Sequence, residues 1–390
     1  MKIAVLGVGM VGRAIALDLA RDHDVIAFDL SKENLELLSS HNPDIPTAAA
    51  DLADCAIYHD LLQPFDIVVT AVPGFMGYKT VEAVLQAGKN LVDISFFPED
   101  ALQLDPLAKK KNLVAITDCG VAPGMSNLIL GRYAAEMDVN SFECYVGGLP
   151  KYPKPPFYYR ASFSPVDVIQ EYVRPARIVE NGNVITKPAM SDREIIYIDG
   201  VGELEAFNTD GLRSLVYTMS HIPFMKEKTL RYPGHIELIS AMQQAGFLDT
   251  QPHRIKEVDI SPLEFTTKLL IDQWKLEPAE PEFTVMRAVV RGEMNGKPQT
   301  IQYDLYDEYD PATGLLSMAR TTGFTCTAAV NLIARDMVTD TGILPPELIG
   351  RDGRAFDFIL NYLKERGVIW KSRKTEDGSP KKSRKAEVSP

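Results

Sequence analysis

Residues 1–14 have the sequence MKIAVLGVGMVGRA, in which a short apolar run meets three glycines and the start of an amphipathic stretch. The apolar run, residues 3–6, predicts a β-strand, and the apolar positions after the glycines recur at helical spacing. A second apolar run, residues 25–28, ends on Asp29. The order of strand, glycine turn, helix, strand and acid predicts a dinucleotide-binding βαβ unit.

Each glycine of the turn is expected to have a separate function. We expect Gly7 to permit the tight turn, Gly9 to let the backbone approach a pyrophosphate, and Gly12 to let the helix pack closely on the strand. Backbone N–H groups at Met10 and Val11 open the helix, where the partial positive charge of a helix start favours phosphate.

The acid at the end of the second predicted strand sets the cofactor preference. Asp29 is placed to accept hydrogen bonds from the adenosine ribose, and its charge would repel a 2′-phosphate. The sequence therefore predicts NAD rather than NADP as the cofactor.

The alternation of strands and helices continues, with predicted strands at 67–72, 91–94 and 113–117 and a helix at 78–87. Repeated βα units imply a parallel sheet with ligands at the carboxyl ends of its strands. We expect Val72 and Pro73 to contact the cofactor, and Asp93 and Asp118 to lie beside the substrate. Both acids are also compatible with simple loop capping.

Composition limits the classes of partner. A net charge of −12 argues against nucleic acid, and no apolar run reaches the roughly 20 residues of a membrane span. Residues 1–14 lack the parts of a signal peptide. The four cysteines and six histidines show no metal-ligand spacing, so we predict no metal site and a reducing cytoplasm.

At 390 residues the chain is long enough for two domains. Past the first domain, strand-like runs predict a mixed or antiparallel sheet; they lie at 142–146, 194–198, 204–208, 229–232, 283–291 and 300–306, with helices at 165–172, 235–245 and 261–274. The predicted fold class is α/β, a doubly wound parallel Rossmann sheet with a second α+β domain. We place the first domain at 1–130, the substrate and dimerisation domain at 131–324, helices that return to the first domain within 325–366, and a disordered basic tail at 371–390.

Several motifs outside the glycine turn are more specific than it. They are DCGVAPGMSN at 118–127, VGGLP at 146–150, PPFYY at 155–159, EAF at 205–207, LRYPGH at 230–235 and ARTT at 319–322. With these motifs the chain resembles the saccharopine dehydrogenase-like family, and within it the branch that acts on lysine. That branch carries a glycine-rich stretch and a histidine where this chain has SFFPE at 95–99.

The resemblance implies oxidation or reduction at a carbon that bears an amino group, and a homodimer formed through the second domain. Arginine suits the recognition of a substrate carboxylate, and the candidates are Arg213, Arg231 and Arg320. His235 titrates near neutral pH and is a candidate proton shuttle, with a structural histidine as the alternative.

Two further groups complete the candidate site. Asp93 is placed to hold the substrate ammonium or accept its proton, and Tyr159 to hydrogen-bond the substrate. With NAD, the expected reaction is oxidation of the terminal amine of L-lysine to the semialdehyde. The alternatives are a secondary-amine dehydrogenase of the saccharopine or carboxynorspermidine type, and a protein that senses NAD redox state without turnover.

Overall fold

The computed structural model describes residues 1–277 and 279–376. Its first part contains, in order, β1 (Lys2–Leu6), α1 (Met10–Leu19), β2 (Asp24–Asp29), α2 (Lys32–His41), β3 (Thr47–Ala49), α3 (Tyr58–Leu62), β4 (Ile67–Thr70), α4 (Gly74–Gln86), β5 (Asn90–Asp93), α5 (Asp105–Lys110), β6 (Val114–Ile116) and α6 (Met125–Ala134).

The second part continues with β7 (Asp138–Pro150), α7 (Pro165–Val173), β8 (Ala176–Glu180), β9 (Asn183–Lys187), β10 (Glu194–Ile198), β11 (Gly202–Asn208), α8 (Leu215–Thr218), β12 (Phe224–Arg231), α9 (His235–Gln244), β13 (His253–Ile255), β14 (Val258–Ile260), α10 (Pro262–Trp274), β15 (Glu282–Met294) and β16 (Lys297–Glu308). The last part holds α11 (Ser317–Ala334), β17 (Gly342–Ile343), α12 (Pro346–Gly350), α13 (Gly353–Glu365) and β18 (Trp370–Thr375).

The first sheet has seven parallel strands in the order β17-β6-β5-β4-β1-β2-β3. The strand order reverses beside β1, as in a doubly wound fold. This confirms the predicted Rossmann sheet. Helix α6 spans the predicted domain boundary at residue 130.

The C-terminal helices pack on the first domain. The Thr327 hydroxyl of α11 donates a 2.6 Å hydrogen bond to Asp18 of α1, and Arg366, just after α13, donates to the same carboxylate at 2.7 Å. Strand β17 adds the last strand to the first sheet beside β6. The chain therefore leaves the first domain and returns to it.

The second sheet is mixed, with a main path β10-β11-β12-β7-β15-β16-β18. Only β12 and β7 pair in parallel along this path. A hairpin turn joins β15 to β16 at Asn295 and Gly296, whose φ angles are +54° and +72°. One apolar cluster runs from Val5 in the first sheet to Val290 in the second, so the two domains share a core.

One prediction about the C-terminus is wrong for its first residues. The stretch 371–390 was expected to be a solvated tail, but Trp370–Thr375 forms β18 and pairs with β16. An edge strand satisfies its backbone through the neighbouring strand and tolerates charged side chains, so it needs no apolar run. Residues 377–390 lie outside the described residues. In the described ranges, no helix is long and apolar enough to cross a membrane.

Candidate active site

The three glycines after β1 have the geometry that a dinucleotide requires. Gly7 has a φ of +91°, and a Cβ on it would clash with the Ala71 carbonyl oxygen. A Cβ on Gly12 would overlap the Gly7 carbonyl, so this glycine allows helix α1 to lie close to the turn. A Cβ on Gly9 would meet no atom within 4 Å, because this position faces open space. The turn therefore leaves room for a pyrophosphate at the start of α1.

Asp29, at the end of β2, has a fixed orientation. Its carboxylate accepts hydrogen bonds from the backbone N–H groups of Val8 and Ser31, both at 2.8 Å, and from the Asn34 side chain at 3.3 Å. The carboxylate is thereby held at the carboxyl edge of the sheet, beside the glycine turn. This is the position that a ribose-binding acid occupies in dinucleotide folds.

A cavity of about 410 Å³ begins at this edge and reaches the second domain. It is lined by all the predicted cofactor residues, namely Gly7, Gly9, Met10, Val11, Gly12, Asp29, Val72 and Pro73. Of the other predicted site residues, Asp118 and Arg231 line it. Asp93, Tyr159, His235, Arg213 and Arg320 do not border it.

The sequence interpretation missed most of the cavity wall in the second domain. Helix α7 and the residue after it contribute Asp167, Gln170, Glu171 and Arg174, and strand β12 contributes Glu227 and Thr229. The spacing i, i+3, i+4, i+7 on an otherwise apolar helix is the signal that could have identified the first group. We call the end of the cavity bordered by Asp167, Glu171, Asp210 and Glu227 the acidic chamber.

Asp93 lies behind the cavity wall rather than on it. Its side chain is fully buried, and it accepts hydrogen bonds from the Thr70 hydroxyl at 2.5 Å and from the Ser95 backbone N–H at 3.2 Å. Burial raises the pKa of Asp93 to about 7. The structure therefore places Asp93 as a support for Ser95, which does line the cavity.

Asp118 and Arg213 form a buried ion pair. Arg213 lies 3.0 Å from Asp118 and also donates to the Phe97 carbonyl oxygen. Asp118 has a φ of +56°, which places its side chain on the cavity wall after β6. Arg213 thus holds Asp118, instead of reaching the cavity itself as we predicted.

Arg231 also has protein partners. It donates to the Glu171 carboxylate at 2.5 Å and to the Tyr172 hydroxyl at 3.0 Å, and its guanidinium lies 4.3 Å from the ring centroid of Tyr159. The Tyr159 hydroxyl is 3.5 Å from the same guanidinium. The predicted substrate contacts Arg231 and Tyr159 are thus joined to each other, and Arg231 fixes Glu171 at the cavity wall.

His235 is held at both ring nitrogens. Its Nδ1 lies 2.7 Å from the Phe157 carbonyl oxygen, which can only accept, so Nδ1 carries the proton. Its Nε2 then accepts from the Tyr172 hydroxyl at 2.9 Å. Burial lowers the pKa of His235 to about 3, and the nearby positive charge of Arg231 contributes to this shift. The geometry therefore matches the structural alternative and does not bring His235 to the cavity as a proton shuttle.

Arg320 lies apart from the cavity. It is bound to Asp310 at 2.9 Å and Asp307 at 3.2 Å, and it donates to the Arg366 carbonyl oxygen. Arg320 is part of α11, and these contacts connect that helix to the end of β16 and to the residue after α13. Across the described ranges no group of three or more His, Cys, Asp or Glu residues could hold a metal ion.

Comparisons with known proteins agree with this architecture. The family model of the saccharopine dehydrogenase NADP binding domain matches residues 3–116, and that of the saccharopine dehydrogenase C-terminal domain matches residues 120–368. The solved structure of apo saccharopine dehydrogenase (L-Glu forming) from Saccharomyces cerevisiae superposes with a TM-score of 0.77 at 19% identity, over 96% of this chain and 99% of that one.

Two mammalian relatives give the same result at the sequence level. The mitochondrial alpha-aminoadipic semialdehyde synthase of Mus musculus is 23% identical over 297 residues, which are 72% of this chain and 32% of that protein. The Bos taurus protein of the same name is 22% identical over 291 residues, 70% of this chain and 31% of that protein. The chain spans about a third of the length of these relatives. With both family models matched over nearly all of the described residues, the chain belongs to the saccharopine dehydrogenase family.

Proposed function

We propose that this enzyme is an amino-acid amine dehydrogenase, with the terminal amine of L-lysine as its first candidate substrate. The observation that carries the proposal is a single cavity that joins the glycine turn to the acidic chamber. A dinucleotide and a small polar substrate can therefore meet in one cavity. When bound, the cofactor supplies the hydride acceptor.

The charges of the chamber favour a substrate with both an ammonium and a carboxylate. Glu171 is paired with Arg231 at 2.5 Å, and Asp210 with Arg177 at 2.8 Å. Asp167 is also hydrogen-bonded within the protein. Among the described residues that line this end of the cavity, the carboxyl group of Glu227 and the guanidinium of Arg174 remain for a ligand.

Of the two arginines that line the cavity, Arg174 is the one with a buried, unpartnered nitrogen. Its Nη1 is buried and has no hydrogen-bond partner among the described residues. Its guanidinium lies 5.0 Å from the ring centroid of Phe96, which orients it beside the cavity. We therefore propose Arg174 as the partner of the substrate carboxylate, in place of the three arginines taken from the sequence. The proton-shuttle role of His235 is not part of the proposal, because both ring nitrogens are bound within the protein.

Three finer assignments belong to the same proposal. NAD is preferred over NADP, because Asp29 presents its carboxylate where a 2′-phosphate would lie. The enzyme works in a reducing compartment such as the cytoplasm, which is supported by four free cysteines. It forms a homodimer through the second domain, as the family resemblance implies.

A secondary-amine substrate of the saccharopine type is the second candidate, and it is favoured by the yeast structure and the mammalian relatives. The two reactions differ in whether free ammonia is released. The deciding experiment measures NADH absorbance and ammonia with NAD and either L-lysine or saccharopine. A lysine-dependent rise with equal ammonia is the expected result. A rise with saccharopine and no ammonia would select the second candidate, and no rise with either would contradict the proposal.

A further inference from the structure

Glu227 lies on the face of β12 that is turned towards the cavity. Residues two apart along this strand, Glu227, Thr229 and Arg231, all line the cavity. Glu227 is 5% exposed, and the space it borders is the acidic chamber. It is thus a deeply buried acid on the wall of the site.

Unlike its neighbours, the Glu227 side chain has no polar partner among the described residues. Glu171 and Asp210 are each paired with an arginine, whereas the Glu227 carboxylate makes no hydrogen bond or ion pair within the described ranges. The hydroxyls of Thr209 and Thr229, which are close by, bond to each other at 3.0 Å. A buried acid without a partner destabilises the fold, so its presence on a cavity wall indicates a role towards a ligand.

The position opposite this carboxylate is a glycine. A Cβ built on Gly211 would overlap the carboxylate group of Glu227. Gly211 is not among the glycines with positive φ, so its backbone does not require glycine. The missing side chain leaves space for the Glu227 carboxylate between β12 and residues 209–211.

The surroundings of Glu227 favour a cation. Burial raises the pKa of Glu227 to about 8, and the carboxylates of Glu171, Asp210 and Asp118 act in the same direction. The guanidinium of Arg213 opposes them. An empty site at neutral pH therefore holds Glu227 mainly protonated, and an entering ammonium displaces that proton.

We infer that Glu227 is the catalytic residue that binds the substrate ammonium and then accepts a proton from it. The inference rests on the proposed function. The carboxylate takes one N–H proton and leaves a neutral amine. The nitrogen lone pair forms the C=N bond as the C–H electron pair leaves as hydride to NAD. The products are a substrate iminium, NADH and protonated Glu227, and water then converts the iminium to aldehyde and ammonium.

The test compares E227Q with wild type, and E282Q serves as the matched control. Burial also raises the pKa of Glu282 to about 8, but Glu282 does not border the cavity. For oxidation of L-lysine, kcat/KM of wild type should rise with pH up to about 8. For E227Q, this rising limb of the pH profile should be absent, and kcat/KM should be about 10²- to 10⁴-fold lower than for wild type. E282Q should keep both, and E227D, which retains the acid, should keep the limb.

Calorimetry supplies a readout that does not depend on turnover. L-lysine is titrated into the NADH complex at pH 7 in two buffers of different ionisation enthalpy. Wild type and E282Q should release about one proton per bound lysine, and E227Q should release none.

The possible outcomes test the role of Glu227 and the proposed reaction separately. Turnover with the same pH profile in wild type and E227Q would overturn the assignment of Glu227 and keep the dehydrogenase. Proton release that only E227Q lacks, without turnover, would keep Glu227 as the amine-binding acid and overturn the dehydrogenase. Absence of both lysine binding and turnover would overturn both.

Discussion

At the residue scale, Gly7, Gly9 and Gly12 shape the turn that leads into helix α1. Their tasks are local, because each depends on a turn whose residues are contiguous in the chain. The same applies to Asp29, which follows the next strand directly. All of the predicted cofactor residues line the cavity, so a contiguous motif was enough to place them at its wall.

The substrate residues could be predicted only in part. An arginine in a motif can bind a ligand or a protein carboxylate, and the choice depends on groups that are distant in sequence. Arg213 meets Asp118 across 95 residues, and Arg231 meets Glu171 across 60. Neither partner could be identified before the fold was known. Glu227 was missed for a related reason, since its role follows from the lack of a partner.

At the residue scale, D29A combined with K32R should shift cofactor preference towards NADP. The change removes the repulsive carboxylate and adds a guanidinium that can bind a 2′-phosphate. We expect the ratio of NADPH to NADH dissociation constants to fall about tenfold or more, equal to about 1.4 kcal/mol, by fluorescence titration. K32R alone is the control, because it leaves Asp29 in place. An unchanged ratio in the double variant would contradict the assignment of Asp29.

At the element scale, periodicity located most helices and strands but not their ends. Strand β12 was predicted from residue 229, whereas it begins at Phe224. Lys226 and Lys228 interrupt the apolar run, but both point away from the cavity and are held by Glu194. Helix α7 was predicted at the correct place. Whether its polar residues face solvent or a cavity depends on the elements that pack beside it.

The contact between α7 and α9 gives a prediction for stability. His235 opens α9, accepts a hydrogen bond from Tyr172 of α7, and is held neutral. Its pKa is about 3 in the folded state, against an ordinary value near 6.5, so the unfolded chain binds one more proton between these values. Below pH 6.5 this group therefore lowers the free energy of unfolding as pH falls. From pH 6.5 to pH 5 the loss is about 2 kcal/mol.

The variant H235Q should lack this contribution to the pH dependence. Urea unfolding of wild type and H235Q, at pH 7 and at pH 5, gives the difference between their free energies of unfolding at each pH. We expect the stability advantage of wild type over H235Q to shrink at pH 5. An advantage that stays constant would show that His235 is not held neutral.

At the scale of the whole molecule, the C-terminal third joins the two domains. It supplies an edge strand of each of the two large sheets, β17 and β18, together with helix α11, which packs on α1, and helix α13, which packs on α11. The return of these helices was predictable from their apolar faces. The two strands were not, because two residues in β17 and a charged edge strand in β18 carry no periodic signal.

The packing of the C-terminal third on the first domain can be tested at Asp18. Its buried carboxylate accepts from Thr327, Tyr362 and Arg366, all in the C-terminal third. D18A leaves the Arg366 charge without its partner and should lower the free energy of unfolding by about 3–5 kcal/mol. D60A, at a side chain 97% exposed, is the control and should change it little. A small loss in D18A, by denaturant unfolding, would contradict the role given to this network.

The most direct measurement of the whole account uses L-lysine deuterated at the carbon that bears the terminal amine. If substrate and cofactor meet in the one cavity, hydride passes directly between them. Mass spectrometry of the reduced cofactor should then find the deuterium in NADH, with free ammonia formed in equal amount. NADH without deuterium, or no reduction of NAD by L-lysine, would contradict the claim that this enzyme oxidises the terminal amine of lysine.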